Sequence, residues 1–212
     1  MRYRHIPDET VRRMPLYLRG AVHLQHQGVQ NVSSRELASL VGTNPWQIRK
    51  DFSYFGGNFG TPGVGYEIKH LIEHINRVLR LDVVHKAALV GIGNLGAALL
   101  SFPGFSAYGF VIAAAFDSDR RKIGRRRGDV VIEDVSRLPT LKKRGVTLGI
   151  IAVPEAPAQA IADQLVGVGI RGILNFSPCY VSVPKKVKII TIDIAMDFAC
   201  LPYYLPAGLA NQ

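Results

Sequence analysis

The sequence is short of the residues that tie a fold together covalently or through metal. Only Cys179 and Cys200 occur in 212 residues, too few for a disulfide framework and too far apart for a zinc site, which needs four well-spaced ligands. With no signal-like stretch at the start, the expectation is reduced thiols in the cytoplasm. Histidine stops at His85. His70 and His74, four apart on a predicted helix, are the best ligand pair, too few for a site, so no metal is expected. Long apolar runs are missing too. The longest, such as 146–154, fall far below the ~20 residues that span a bilayer, which leaves buried strands and no membrane segment. Acid is scarce beside base: 16 Asp and Glu against 26 Lys and Arg, a net charge of +10. Such a chain suits a polyanionic partner. Residues 1–84 carry 11 cations and 7 anions, and residues 86–212 carry 15 and 9, so charge alone does not say which half meets that partner.

What is present divides in two. The first eighty residues read as helices. Val11, Met14, Leu18, Val22 and Leu24 recur at helical spacing over 9–27, with Gly28 as the stop and Pro15 as the start of the helix proper. Ser33 and Glu36 form an S-x-x-E capping box ahead of Leu37, Leu40 and Val41, and Gly42 ends that helix. Thr43 or Asn44 then caps a helix with Pro45 in its first turn. Two short helices around a tight turn make a helix-turn-helix. The glycine-rich 56–66 reads as a hairpin or wing, and 67–80 as an amphipathic closing helix through Ile68, Leu71, Ile72, Ile75 and Leu79.

From residue 85 the period changes to βαβ. A buried strand at 87–91 runs into GIGNLG, which opens a helix over 94–102, and a second strand at 110–116 ends on Asp117. Further strands fit 147–153, 171–175 and 187–192, with helical crossovers, so the fold class is an α/β Rossmann domain, a doubly wound parallel sheet, behind a small α-helical winged helix-turn-helix. Gly91, Gly93 and Gly96 give G-x-G-x-x-G in the strand–turn–helix setting that motif needs. The first glycine allows the tight turn, the second lets backbone approach a pyrophosphate, and the third lets helix and strand pack closely. Candidate cofactor contacts are therefore Gly91, Ile92, Gly93, Asn94, Leu95 and Gly96, with Asp117 accepting from an adenosine ribose. Asp117 and Asp119 disfavour a 2′-phosphate and so favour NAD(H). The basic run at 120–122 and 125–127 could accommodate one, and reads otherwise as a solvated loop. A dehydrogenase needs an acid–base group near the nicotinamide. No histidine lies beyond His85 at the very start of this half and no Y-x-x-x-K occurs, so the dinucleotide is expected to be bound and not consumed.

The whole resembles the Rex family of redox-responsive transcriptional repressors. The resemblance rests on SSRELASLVG, QIRKDFSYFG and GVGY in front, and on GIGNLG, FPGF, FDSD, GILNFSP and Asp193 behind. It implies a homodimer that binds a palindromic operator on double-stranded DNA and leaves it when NADH replaces NAD+. Carried over by residue, it puts Gln47, Arg49, Lys50, Ser53 and Tyr54 on the DNA face, with Gly63, Gly65 and Tyr66 in the wing. Trp46, Ile48, Phe52 and Phe55 would pack the helix onto its neighbours. Phe102, where the family frequently has tyrosine, would join the cofactor site, and Arg19 and Asp193 would form the switch. The expected domains are 1–82 for DNA, 83–193 for NAD(H), and 194–212 as a dimerisation helix that Pro202 and Pro206 would shorten. Pro62 replaces the basic residue usual before the wing's G-x-G-Y. The competing readings are a nucleotide-linked enzyme, such as a small dehydrogenase or a CoA-binding ligase subunit, and a DNA-binding protein whose second half only dimerises.

Overall fold

A computed structural model describes residues 6–56, 59–61 and 63–205. The chain forms two compact units, Met1–Val83 and Val84–Gln212.

In the first unit α1 (Asp8–His26) is followed by β1 (Asn31–Val32), α2 (Ser34–Val41), α3 (Pro45–Tyr54), β2 (Tyr66–Glu67) and α4 (Ile68–Leu79). Pro15 stands inside α1 and does not open it. Its ring removes the amide that would bond the Val11 carbonyl, yet the helix continues because Met14, Tyr17 and Leu18 around it are buried. The box at the head of α2 is complete: the Glu36 N–H donates to Ser33 Oγ at 3.1 Å and the Ser33 N–H to Glu36 Oε2 at 2.8 Å. Gly42 closes α2 in the left-handed region at φ +70°, and Asn44 caps α3 by accepting from the Gln47 N–H at 2.7 Å. The core joins Met14, Tyr17 and Leu18 of α1 to Leu37, Ile48, Phe52, Leu71 and Ile75. The short strands pair antiparallel, Val32 opposite Tyr66. In the wing segment Thr61 and Gly65 are joined by reciprocal backbone bonds of 2.9 and 3.0 Å. Pro62 lies outside the described residues.

In the second unit a seven-stranded sheet runs in the order β5-β6-β4-β3-β7-β8-β9. The strands are β3 (His85–Val90), β4 (Phe110–Asp117), β5 (Arg126–Arg127), β6 (Val130–Asp134), β7 (Leu148–Ile151), β8 (Gly172–Asn175) and β9 (Lys188–Thr191). All neighbours are parallel except β5 and β6. The basic run is thus partly strand, Arg126 and Arg127 forming an exposed, charged edge of the kind that discourages edge-to-edge pairing. Helix α5 (Asn94–Leu100) and the short α6 (Gly104–Ala107) lie against Ala87, Leu89, Ile92, Ala115 and Ile150 on one face. A 3-10 segment (Val135–Lys143) and α7 (Glu155–Gly167) cover the other through Leu138, Leu141, Ile161 and Leu165.

One expected crossover is missing. Residues 176–187, between β8 and β9, contain no helix, since Pro178 and Pro184 withhold backbone donors. On the α5 side, opposite the face that Val181 and Val183 of this segment join, the sheet over β7, β8 and β9 carries an open apolar groove of about 520 Å³, lined in part by Ala87, Phe110, Leu148 and Ile190. After β9 the chain makes a five-residue α8 (Ile194–Phe198) and a 3-10 turn (Leu201–Tyr204) with Pro202 in its first turn. Pro206 and the residues after it lie outside the described region. No helix among the described residues is long and apolar enough to cross a membrane.

Candidate functional site

Helix α3 has one buried face and one outward face. Ile48, Asp51 and Phe52 are buried, and fully burying an isoleucine or phenylalanine side chain contributes about 2 kcal/mol. A carboxylate on that face needs partners, and Asp51 has four. It accepts from Thr10 Oγ1 at 3.0 Å, from Arg13 through two bonds of 2.6 and 2.8 Å, from the Tyr17 hydroxyl at 2.7 Å and from Gln47 Nε2 at 2.9 Å. Burial pushes the Asp51 carboxyl up, but these bonds outweigh it and hold the group below its ordinary value. Tyr17 is pushed well above the usual phenol range by burial and by the same carboxylate. Helix α3 is thus bolted to α1 by a charge at its centre. Nothing in the motif reading singled out Asp51, although an acid at a core position of an amphipathic helix is itself a signal that partners exist.

The outward face carries Trp46, Arg49, Lys50 and Ser53 at i, i+3, i+4 and i+7, one stripe on a helix. Arg49 donates to Ser34 Oγ at 2.7 Å, bridging to the head of α2, and Ser53 Oγ donates to the Lys50 carbonyl at 2.7 Å. Trp46 corrects the expectation of a core residue. It is 59 % exposed, because the helix turns Ile48 and Phe52 inward, and Lys50 Nζ lies 4.7 Å from its ring centre. Gln47 is half-buried with its amide committed to Asp51, and Tyr54 is half-buried. Tyr66 is also placed inward. It is 8 % exposed and meets Phe52 edge to face at 5.3 Å, so its ring supports α3 from behind. Gly63 and Gly65 take positive φ in the wing turn.

In the second unit the three glycines of the loop after β3 have three separate surroundings. A Cβ on Gly91 would stand 2.4 Å from the Ala152 carbonyl oxygen, and φ there is +94°. A Cβ on Gly96 would stand 1.9 Å from the Gly91 oxygen. A Cβ on Gly93 would meet nothing within 4 Å. Two glycines let backbone touch backbone, while the middle one keeps an approach open beside Ile92, Asn94 and Leu95. The loop lies at the carboxyl end of β3, between β4 and β7, where the crossovers diverge and α/β sheets take ligands.

Asp117 fastens this loop. Its carboxylate accepts from the Ile92 N–H at 2.7 Å, the Asp119 N–H at 2.8 Å and Lys122 Nζ at 3.0 Å. Burial pushes the carboxyl up, and these three donors together hold it below its ordinary value. A carboxylate has about four acceptor positions, so one remains for a ribose hydroxyl. Asp119 is drawn down to about 2 by its bonds with Arg121. Alongside, at the carboxyl ends of β7, β8 and β9, buried Asn175 donates to the Ser177 and Cys179 carbonyls and to Thr191 Oγ1, and Ser177 Oγ donates to the Val153 carbonyl at 2.6 Å. The sequence reading recognised this stretch only as part of a motif. Its role in tying three loops together depends on strand order.

Phe102 is not gathered here. Helix α5 advances about 10 Å over seven residues and delivers it to the apolar groove, 56 % exposed and edge to face with Phe105 at 5.6 Å. Within the single chain it is a groove residue and not a neighbour of the glycine loop. Asp193 caps α8, accepting from the Met196 N–H at 3.1 Å, and Arg19 is exposed on α1.

Two family models match, one described as "Putative DNA-binding protein N-terminus" over residues 5–53 and one as a CoA binding domain over 82–179. The redox-sensing transcriptional repressor Rex of Chloroflexus aggregans is 43% identical over 200 residues, 94% of each chain. That of Streptomyces griseus is 41% identical over 204 residues, 96% of this chain and 80% of its own. Among solved structures, the repressor RSP in complex with NAD+ and operator DNA superposes with a TM-score of 0.88 at 32% identity, covering 95% of this chain and 93% of that one. Its NADH complex gives 0.86 at 31%, covering 95% and 94%. A helix-turn-helix joined to a glycine-loop Rossmann unit defines a nucleotide-responsive DNA-binding protein, not an enzyme. The chain belongs to the Rex family of redox-sensing transcriptional repressors.

Proposed function

We propose that this chain represses transcription in the cytoplasm as a homodimer on a palindromic operator, bound in the NAD+ state and released when NADH rises. The observation that carries the reading is the joining, in one chain, of a braced helix with a cationic outward stripe to a strand–glycine loop–helix unit whose middle glycine leaves an approach open. Arg49 and Lys50 take the phosphate and base-edge contacts, and Ser53 borders them. The backbone of residues 91–96 receives the pyrophosphate, and the remaining acceptor position of Asp117 takes the adenosine ribose. Its carboxylate favours NAD(H) over the 2′-phosphorylated form. The open groove with Phe102, and the exposed Ile194, Met196 and Phe198 of α8, are apolar surfaces that a second copy would cover, and two copies impose operator symmetry. Arg19 and Asp193 are the switch pair. A carboxylate near the nicotinamide favours the cationic ring of NAD+, and a ligand shifts an equilibrium only by its difference in affinity for two states.

The test is operator affinity by fluorescence anisotropy at fixed salt, titrated with NADH, NAD+ and NADPH. NADH is expected to release the duplex, NAD+ to leave it bound, and NADPH to act only at much higher concentration. Arg19→Ala and Asp193→Ala should narrow the ratio between the NADH and NAD+ effects. A full ratio in both variants places the switch elsewhere.

A further inference from the structure

The geometry points to Trp46 as a base-reading residue that seats its ring on the 5-methyl group of a thymine in each operator half-site. This rests on the reading of α3 as the recognition helix and adds what that helix selects.

Trp46 is the second residue of α3, and the N-terminal residues of a recognition helix are the ones that meet base edges. It begins the stripe that continues through Arg49, Lys50 and Ser53, so it faces the same way as the two cations. It is not held in the protein interior. At 59 % exposure it is a large apolar surface left in water, on a face whose other members are polar. Within the chain the ring is met by Lys50 Nζ, 4.7 Å from its centre, which leaves the rest of the indole uncovered. The neighbour that might have read a base amide edge, Gln47, has its amide nitrogen bound to Asp51. The first turn therefore offers DNA a flat apolar ring. An indole has one N–H donor and no acceptor, so it cannot form the bidentate pairs that read guanine or adenine. On the floor of the major groove the apolar group available to it is the thymine methyl.

The experiment uses the full-length protein. An operator is first selected from a pool of random-sequence duplexes. Each thymine of the selected half-site is then replaced in turn by deoxyuridine, which deletes only the methyl group. Affinities are measured for the wild type, Trp46→Ala and Trp46→Phe. One thymine per half-site should cost the wild type roughly fourfold on replacement, the effect of one buried methyl-sized group. The same replacement should cost Trp46→Ala nothing, and Trp46→Phe should keep part of it. The side chain is exposed, so coincident melting curves will show the variants folded.

Uracil losses equal in wild type and Trp46→Ala, or absent from both, overturn the assignment. So does a Trp46→Ala variant that is silent to uracil because the wild type is silent too, but whose salt dependence falls: the ring would then only hold Lys50 at a phosphate. If the pool yields no preferred duplex, the reading of α3 as the recognition helix fails and takes this inference with it. That outcome is distinct from a selected operator whose thymine methyls have no effect.

Discussion

In α3 the surface proposed for DNA consists of side chains, and a buried carboxylate behind them fixes the backbone. In the glycine loop the surface is the backbone itself, and what fixes it is the absence of side chains at Gly91 and Gly96. Each design has its own weak point. The helix tolerates change on its outward stripe and is vulnerable at Asp51, which touches no solvent. The loop tolerates almost nothing at its closest approaches and much more at Gly93, where the space is open. A functional position and a structural position thus lie on opposite faces of one helix in the first unit, and on neighbouring glycines of one loop in the second.

The largest effect is expected from Gly96→Ala. Its methyl would collide with the Gly91 carbonyl, and backbone cannot swing aside as a flexible side chain can. The second unit should lose about 4 kcal/mol of stability, a value in the range that marks a specific steric fault, and NADH binding by calorimetry should vanish while the first unit still melts normally. Undiminished binding would show that the close approach is dispensable. Next comes Asp51→Ala. Removing the carboxylate strands Arg13 and Tyr17, and breaking a buried pair from one side costs about 3 kcal/mol. The first unit should melt earlier and operator affinity should fall, although Asp51 itself faces no DNA.

A smaller effect tests the same joint without mutation. The Asp51 carboxyl is held below its ordinary value of 3.8. The folded state therefore favours its ionised form, and the stability this contributes is complete above 3.8 and is lost as pH falls through that value toward the lower folded one. Acid unfolding of the first unit should show this limb, and Asp51→Asn should flatten it. An unchanged acid limb in that variant would assign the sensitivity to other carboxylates. The smallest structural effect is expected from Gly93→Ala. Its methyl enters open space, so melting should stay within about 0.5 kcal/mol of wild type while NADH affinity drops. Equal losses in stability for Gly93→Ala and Gly96→Ala would erase the distinction between the two glycines.

The same contrast explains what was legible in the sequence. Glycine spacing, the Ser33–Glu36 box and the Asn44 cap are local devices whose partners lie within a few residues, so pattern alone located them. The parallel, doubly wound character of the sheet followed from the βαβ rhythm, though strand β6 did not. The inward turn of Ile48 and Phe52 on α3 was legible too, but the outward turn of Trp46 and the inward turn of Tyr66 were not, because aromatic character is ambiguous between core and surface. Trp46, Phe52 and Tyr66 are chemically alike, and only packing against α1 and α4 sends the first outward and the other two inward. Phe102 was placed from its family motif alone; in the single chain the end of α5 sets it at the apolar groove. The missing crossover after β8 was foreshadowed by Pro178 and Pro184, whereas the pairing of Arg126 and Arg127 with β6 had no apolar signal to announce it.

Three of the four side chains that grip Asp51 stand on α1, at positions 10, 13 and 17, and Arg19 lies two residues beyond the last of them. Helices α1 and α3 consequently share one stiff joint and few independent degrees of freedom. A force applied near Arg19 cannot be absorbed by bending α3 alone. It must tilt both helices as a lever tilts about its fulcrum, so a small displacement at one end becomes a change of angle for every side chain on the outward stripe at once.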